Sequence, residues 1–413
     1  MKARTINHNE LYRLPWNLSD NAISWLEPTS ACNMTCDGCY RENVKGSHKS
    51  LLEVKKELDT FQRLRKSDCI SVAGGDPLVH PQITEIVKKI KSRGFKPILN
   101  TNGKALDMEF LKELKDVGVY GFTFHIDSKQ SRGKPWDGKN ELELNELRLY
   151  YAQMLAEVGG IACSFNSTVY EDTIEYTPGM IQWAQDHINI VHTMVFIAFR
   201  NVVPNLPFDW FAGGRKIDFK DLHYHSDKVR KIDIKSTDML DKVREEIPEF
   251  TPAAYLNGTL ESNTFKWLLT ERVGVKSKIF GYLGPKFIEL TMTTHHFLKG
   301  KYISYISPRE SGLAKIILVL WPFDKGVKHS VKNYFFYLFK NPLRIFKKIY
   351  FQTIMFIQPV DFLKDGSQSM CDGCPDITVW NNQLAWSCRL EELRYFNTYV
   401  RSVSKAKYKT VNL

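Results

Sequence analysis

With 413 residues, 43% hydrophobic and 25% charged, the chain has an ordinary globular composition that excludes a disordered or fibrous class and leaves room for a catalytic core plus an appended module. Its net charge of +11 concentrates at the C-terminal end, where residues 301–413 hold 17 Lys/Arg against 8 Asp/Glu, a balance suited to nucleic-acid phosphates, an anionic membrane or an acidic protein. The opening "MKARTINHNELYRLPWN" has no apolar run of the signal-peptide kind and no stretch nears the ~20 apolar residues of a membrane span, so a cytoplasmic protein is expected, in which clustered cysteines bind metal or do redox chemistry rather than form disulfides.

The first predicted strand, "ISWLEPT", runs into "CNMTCDGCY", where Cys32, Cys36 and Cys39 crowd one loop. Ser50 then precedes "LLEVKKELDTFQRL" with Glu53 three residues on, a capping box, and Val54, Leu58, Phe61 and Leu64 repeat on one helical face. "CISVAGG" reads as the second strand, ending in the turn "GGDP". Pro81 begins the second helix, whose Ile83, Ile86, Val87 and Ile90 make an apolar stripe ending near Gly94. "KPILNTNG" is the third strand, and Asp107 caps a third helix with Phe110, Leu111, Leu114 and Val117 facing inward. "YGFTFHID", the helix "NELELNELRLYYAQMLAEVGG", then "IACSFNSTV" and "VHTMVFIAF" complete six strands. This βα alternation predicts a parallel sheet, either open or an incomplete barrel, whose chemistry gathers at the C-terminal ends of the strands. After residue 205 the pattern weakens, and residues 206–310 show no assignable topology.

Three soft thiolates on one short loop suit the iron of a cubane cluster, and three ligands for four irons leave one iron open. Structural zinc is the alternative; it calls for a fourth ligand and usually for paired knuckles, and no second knuckle lies nearby. With C-x3-C-x2-C at Cys32, Cys36 and Cys39, the sequence resembles the radical S-adenosylmethionine (radical SAM) superfamily over about residues 24–200. The resemblance implies that these cysteines hold a 4Fe-4S cluster. It also likens Gly74, Gly75 and Asp76 to the family's Gly-Gly-Glu-Pro turn, whose backbone receives the aminium group of S-adenosylmethionine, with Asp in place of Glu. Asn102 of "NTNG", His125 and Asp127 of "HID", and Ser164 and Asn166 of "SFNSTV" stand where family members contact the ribose and carboxylate of that cofactor. Taken singly, such a Thr-Asn-Gly is a turn and such a His a structural residue; their shared place at strand ends carries the reading. The aromatic residue common before the third cysteine is Gly38 here, so adenine contacts are expected from the backbone near Gly38 and from packing by Tyr40. By the family's mechanism an external donor such as ferredoxin or flavodoxin reduces the cluster, the sulfonium is cleaved, and a 5'-deoxyadenosyl radical takes a hydrogen atom from substrate.

Cys69 and Cys163 lie in apolar strands and read as buried structural thiols. Cys371, Cys374 and Cys388 flank two short alternating segments joined by "WNNQ", a compact hairpin that resembles a shortened auxiliary-cluster (SPASM or twitch-like) extension. An auxiliary iron-sulfur cluster, zinc or mononuclear iron would suit these thiolates, with Asp372 and Asp376 as neighbouring oxygen donors. Between Lys325 and Lys348 seven Lys/Arg occur with no Asp or Glu, interleaved with Tyr334, Phe335, Phe336, Tyr337, Phe339 and Phe346. Peripheral contact with the inner face of a membrane, binding of single-stranded nucleic acid, and a helix packed on the barrel with snorkelling lysines are the readings, the lipid surface preferred over nucleic acid.

The expected architecture is α/β: a partial (βα)6 TIM-like barrel of the radical SAM type over residues 1–205, a variable region with the basic aromatic segment over 206–360, and a C-terminal metal-binding extension over 361–413. The expected activity is S-adenosylmethionine cleavage with hydrogen abstraction from a lipid or other membrane-associated molecule. The alternatives are a peptide-modifying maturase and, in another class, a non-catalytic iron-sulfur or electron-transfer protein.

Overall fold

In the computed structural model, which describes residues 6–276 and 278–405, the six expected strands lie side by side as one run of parallel pairs. They are β1 (Ile23–Thr29), β2 (Cys69–Gly74), β3 (Lys96–Thr101), β4 (Gly121–His125), β5 (Ala162–Val169) and β6 (Thr193–Ala198). Between them lie α1 (Leu51–Leu64), α2 (Ile83–Ser92), α3 (Met108–Asp116), α4 (Asn145–Val158) and α5 (Thr177–Asp186). The Ser50/Glu53 capping box and the Asp107 cap are both present. Two helices start later than their patterns suggest. Gln82 rather than Pro81 precedes α2, and α4 starts at Asn145 because Asn140 Oδ1 instead accepts the amides of Leu142 and Glu143 in a preceding turn.

Alternation along each strand divides the core. Leu26, Val72, Leu99, Phe122, Phe165 and Phe196 face the helices and pack with Val54, Ile86, Leu111 and Met180 in the larger apolar cluster. Ile98, Val195 and Leu269 face the other way, in a second cluster that includes Cys371.

The sheet does not end at the boundary expected at residue 205. It has eleven strands, and five of them come from elsewhere in the chain. Strand β10 (Tyr350–Ile357) lies parallel to β6; β8 (Trp267–Val275) runs antiparallel to β10 and carries β7 (Ala254–Leu256) and β9 (Lys278–Leu283), while Tyr12–Arg13 pairs with β7. Helix α6 (Ser236–Glu246) contributes Met239, Leu240 and Val243 to the larger cluster. Helices α7 (Pro285–Lys299) and α8 (Lys325–Phe339) follow β9, and the anticipated C-terminal hairpin is β11 (Ile377–Trp380) with β12 (Gln383–Trp386). Asn381 and Asn382 both take positive φ, 47° and 60°, as a two-residue hairpin turn requires. The last described strand, Arg401–Ser404, pairs with Phe208–Ala212, so the chain's end returns to the segment just after the βα repeat. The basic tail "KAKYKT" lies outside the described residues beyond Lys405.

Candidate functional site

The cysteine loop follows β1 and is held from three sides. Asn43 accepts the Cys32 amide through Oδ1 at 2.9 Å and donates through Nδ2 to Cys32 O at 3.1 Å, closing the loop on itself. The Asp37 amide donates to Lys129 O at 3.0 Å and the Ser131 amide to Thr35 O at 2.9 Å, so Cys36 forms a bridge with Gln130 in the loop after β4. Cys32 and Cys36 are partly buried; Cys39 is exposed as a residue, but its thiol is turned into the protein, largely desolvated, and donates to Arg41 O at 3.4 Å.

Burial is the main cause that pushes all three thiols above their ordinary pKa; Asp76 adds to it at Cys32, and Asp127 with the other two thiols at Cys36. Three such neighbours do not all ionise unaided, and a bound cationic metal is what would make them thiolates. No three Cys, His, Asp or Glu side chains among the described residues stand in finished metal-ligand geometry. The donor set itself, three soft sulfurs within one another's field on a partly exposed loop, fits an iron-sulfur cluster with one iron left open.

The turn after β2 is built against this loop. A Cβ on Gly75 would lie 2.1 Å from Ala31 O and one on Gly74 2.2 Å from Thr29 O, so the glycines admit the chain leading into the cysteines. The Gly75 amide donates to Thr29 O at 2.9 Å and the Asp76 amide to Ala31 O at 2.8 Å. Asp76 is buried and spends its carboxylate on the protein, accepting from Leu78 N, from Thr101 Oγ1 at 2.8 Å and from Asn102 N at 2.8 Å. Its charge therefore orients the next turn. Asn102, so placed, donates from Nδ2 to Asn33 Oδ1 at 2.7 Å and to Cys32 Sγ at 3.6 Å.

His125 Nε2 lies 2.9 Å from Asp127 Oδ2 and 3.0 Å from Thr168 Oγ1. Burial alone would raise Asp127, but His125 and the Lys129 amide outweigh it and hold the carboxyl below its usual range. Ser164 Oγ and Asn166 Oδ1 are buried with no hydrogen-bond partner among the described residues.

Tyr40 differs from the expectation. Its ring lies under the Arg41 guanidinium at 4.6 Å, and burial first, then Glu27, raises its hydroxyl. The rings beside Gly38 are Phe199, 2.5 Å from where a Cβ would project, and Tyr170, whose hydroxyl donates to Asp37 O at 2.7 Å. Arg132 was also missed; its guanidinium donates to Asn102 O at 3.0 Å and His125 O at 2.6 Å and joins the two turns. The "SRGKP" loop that carries it has no periodicity to flag it.

On the sheet face away from the helices, Asn100, Thr123, Ser164, Thr193, Thr353 and Glu271 stand in one register row across six strands. Thr353 Oγ1 donates to Glu271 Oε2 at 2.7 Å, and burial drives this carboxyl up to about 7. The folded state therefore holds a proton that the unfolded chain, with a carboxyl near 4.5, releases. Stability from this group is fully present below pH 4.5 and is lost as pH rises to about 7. Glu271→Gln should match the parent at pH 4.5 and exceed it by up to about 3 kcal/mol at pH 8 in urea unfolding. A difference that stays constant between those pH values would mean that the carboxylate is charged in the fold.

The C-terminal thiols converge too. Cys371 is held low first by the hydrogen bond with Cys374, Cys374 is pushed well up by the same bond and by burial, and Cys388 is pushed up to about 12 by burial and then Cys371. Asp372 is paired with Arg13, whose Nη2 lies 2.5 Å from Oδ2, while the charge of Asp376 adds to the upward push on Cys374 and Cys388. Arg65 anchors the module to the barrel through Cys374 O at 2.9 Å and Ile23 O at 3.0 Å.

The radical SAM superfamily model matches residues 26–176. The tungsten-containing aldehyde ferredoxin oxidoreductase cofactor-modifying protein of Pyrococcus furiosus is 33% identical over 109 residues, 25% of this chain and 30% of that protein. PqqA peptide cyclase of Xanthomonas campestris pv. campestris is 23% identical over 184 residues, 41% of this chain and 46% of that one. The solved structure of native anSMEcpe with bound AdoMet and Cp18Cys peptide gives a TM-score of 0.38 at 13% identity, covering 68% of this chain and 67% of that one. The chain thus spans less than half the length of these curated relatives. The C-x3-C-x2-C loop lies inside the matched segment, and residues 26–176, folded as parallel βα units, are the part of the chain that is similar to the radical SAM superfamily.

Proposed function

We propose that the protein is a radical SAM enzyme that takes a hydrogen atom from a substrate held on the polar inner face of its sheet. When bound, a 4Fe-4S cluster and S-adenosylmethionine supply reductive cleavage of the sulfonium by one external electron, giving methionine and a 5'-deoxyadenosyl radical that removes the hydrogen atom. Cys32, Cys36 and Cys39 would hold the cluster. Asn102 and Gln130 orient the loop from β3 and β4, and the buried, unpartnered Ser164 Oγ and Asn166 Oδ1 would bind the cofactor's polar groups. The observation that carries the reading is this convergence of three strand-end turns on three thiols. The electron comes from a donor of the ferredoxin or flavodoxin kind. Cys371, Cys374 and Cys388 would hold an auxiliary iron-sulfur cluster or zinc.

For the substrate, a lipid or membrane-associated molecule comes first, on the strength of the basic aromatic segment. A peptide is the second reading, supported by the likeness to PqqA peptide cyclase. Anaerobic incubation of the reconstituted protein with dithionite and S-adenosylmethionine is expected to release 5'-deoxyadenosine. A fully loaded cluster that releases none would make the chain an iron-sulfur or electron-transfer protein instead.

A further inference from the structure

Half of the large apolar side chains that stand exposed among the described residues, eleven of twenty-two, fall within residues 313–346. They come from three adjoining pieces. Helix α8 turns Val327, Val331, Tyr334 and Tyr337 inward, the two tyrosines packing on Phe280 of β9 at 5.4 and 5.2 Å. Its opposite face presents Phe335, Phe336 and Phe339 to solvent, Phe339 at 89% exposure. The following turn, Pro342–Phe346, exposes Leu343, Ile345 and Phe346, the last at 82%, and Arg344 ties it back by stacking over Tyr337 at 4.3 Å. Before α8, Leu313, Ile316 and Val319 point outward at every third residue while Ala314 and Ile317 are buried; Trp321 and Phe323 continue the outward set. This piece adjoins the turn, since Leu313 bridges Ile349 and Lys315 Nζ donates to Ile345 O.

Soluble proteins seldom leave so much contiguous apolar surface without a partner. Lys325, Lys328, Lys332, Lys340, Lys347 and Lys348 are exposed and interleaved with the rings along the chain, Lys332 lying over Phe336 at 5.9 Å, and residues 325–348 contain no acid. A second copy docked about a two-fold axis would set these cations against their own kind. Protein interfaces are depleted in lysine at their cores, whereas rings interleaved with lysines are the pattern of a segment lying in a bilayer interface. No helix among the described residues is long and apolar enough to cross a membrane, so the contact is peripheral.

We propose that residues 313–346 form a docking surface for an anionic lipid bilayer, the rings entering the interface and the lysines meeting the headgroups. The inference is independent of the chemistry at the cysteine loop, and its test needs no turnover. The full chain, reconstituted with iron, is expected to sediment with vesicles of phosphatidylcholine and phosphatidylserine, weakly with phosphatidylcholine alone, and less as salt rises. Phe339→Ser with Phe346→Ser should lower partitioning roughly tenfold or more, and Lys332→Glu with Lys340→Glu and Lys347→Glu should remove the preference for anionic lipid, with circular dichroism and iron content unchanged. No binding to either vesicle would overturn the proposal, as would binding that neither set of variants alters. Light scattering that shows a dimer without vesicles, dissociated by Phe339→Ser with Phe346→Ser, would assign the surface to a second copy.

Discussion

Cys36→Ala is expected to bring 5'-deoxyadenosine formation to background. Cys36 is the central cysteine of the motif, both other thiols help to raise it, and its backbone is clamped by the bridge to Gln130. Removing it leaves two sulfurs where a cluster with one open iron needs three, so the loss is of the metal itself and no rotamer change compensates. Cys163→Ala is the control: this thiol is buried in β5 away from the loop, and its loss should cost about 1 kcal/mol of stability while product formation continues. Iron and sulfide content read the same experiment without turnover. Cys36→Ala should lose the cluster iron and keep metal at the C-terminal thiols, and Cys374→Ala should do the reverse. Equal loss from both places in either variant would argue against two independent sites.

The difference between what these residues announce and what they conceal follows from the range of the interactions. Strands β1 to β6 were legible nearly to the residue, because each βα unit repeats one short pattern, and α1 and α3 carry side-chain caps at Ser50 and Asp107 that mark their starts. The cysteine spacing was legible for the same reason. Strand β8 was not: all nine residues of "WLLTERVGV" are buried, so it shows no alternation, and its partner β10 begins 75 residues after it ends. Glu271 was hidden with it, a carboxyl whose importance appears only once register sets it beside Thr353. The basic aromatic segment was half legible. Its tyrosines proved to be core and its phenylalanines surface, a division made by the 3.6-residue turn of α8 and by the position of β9.

The tie between the cysteine loop and the C-terminal module was the least visible from local pattern, and it yields the second large expectation. Arg41, two residues after Cys39, is fully buried. Its Nη2 donates to Glu27 Oε1 of β1 at 2.5 Å, to Ser387 O and to Ser387 Oγ at 3.3 Å, and its Nη1 reaches Glu391 Oε1 at 3.4 Å. Ser387 closes the ring by donating to Glu27 Oε1 at 2.9 Å, and it immediately precedes Cys388. One guanidinium thus links the first strand, the loop of the first three thiols and the third thiol of the second set. Arg41→Ala would leave Glu27 buried with no countercharge, Arg394 still serving Glu391, and breaking a buried pair from one side costs about 3–5 kcal/mol. Urea unfolding should show a loss of that size, and limited proteolysis should cut within residues 361–405 sooner than in the parent. Arg41→Lys keeps the charge but not the planar fork that serves four acceptors on three residues, so it should recover only part of the loss. Adding Glu27→Gln to Arg41→Ala removes the stranded carboxylate and should restore stability relative to Arg41→Ala alone. If Arg41→Ala instead costs under about 1 kcal/mol, as an exposed pair would, the network does not hold the module in place.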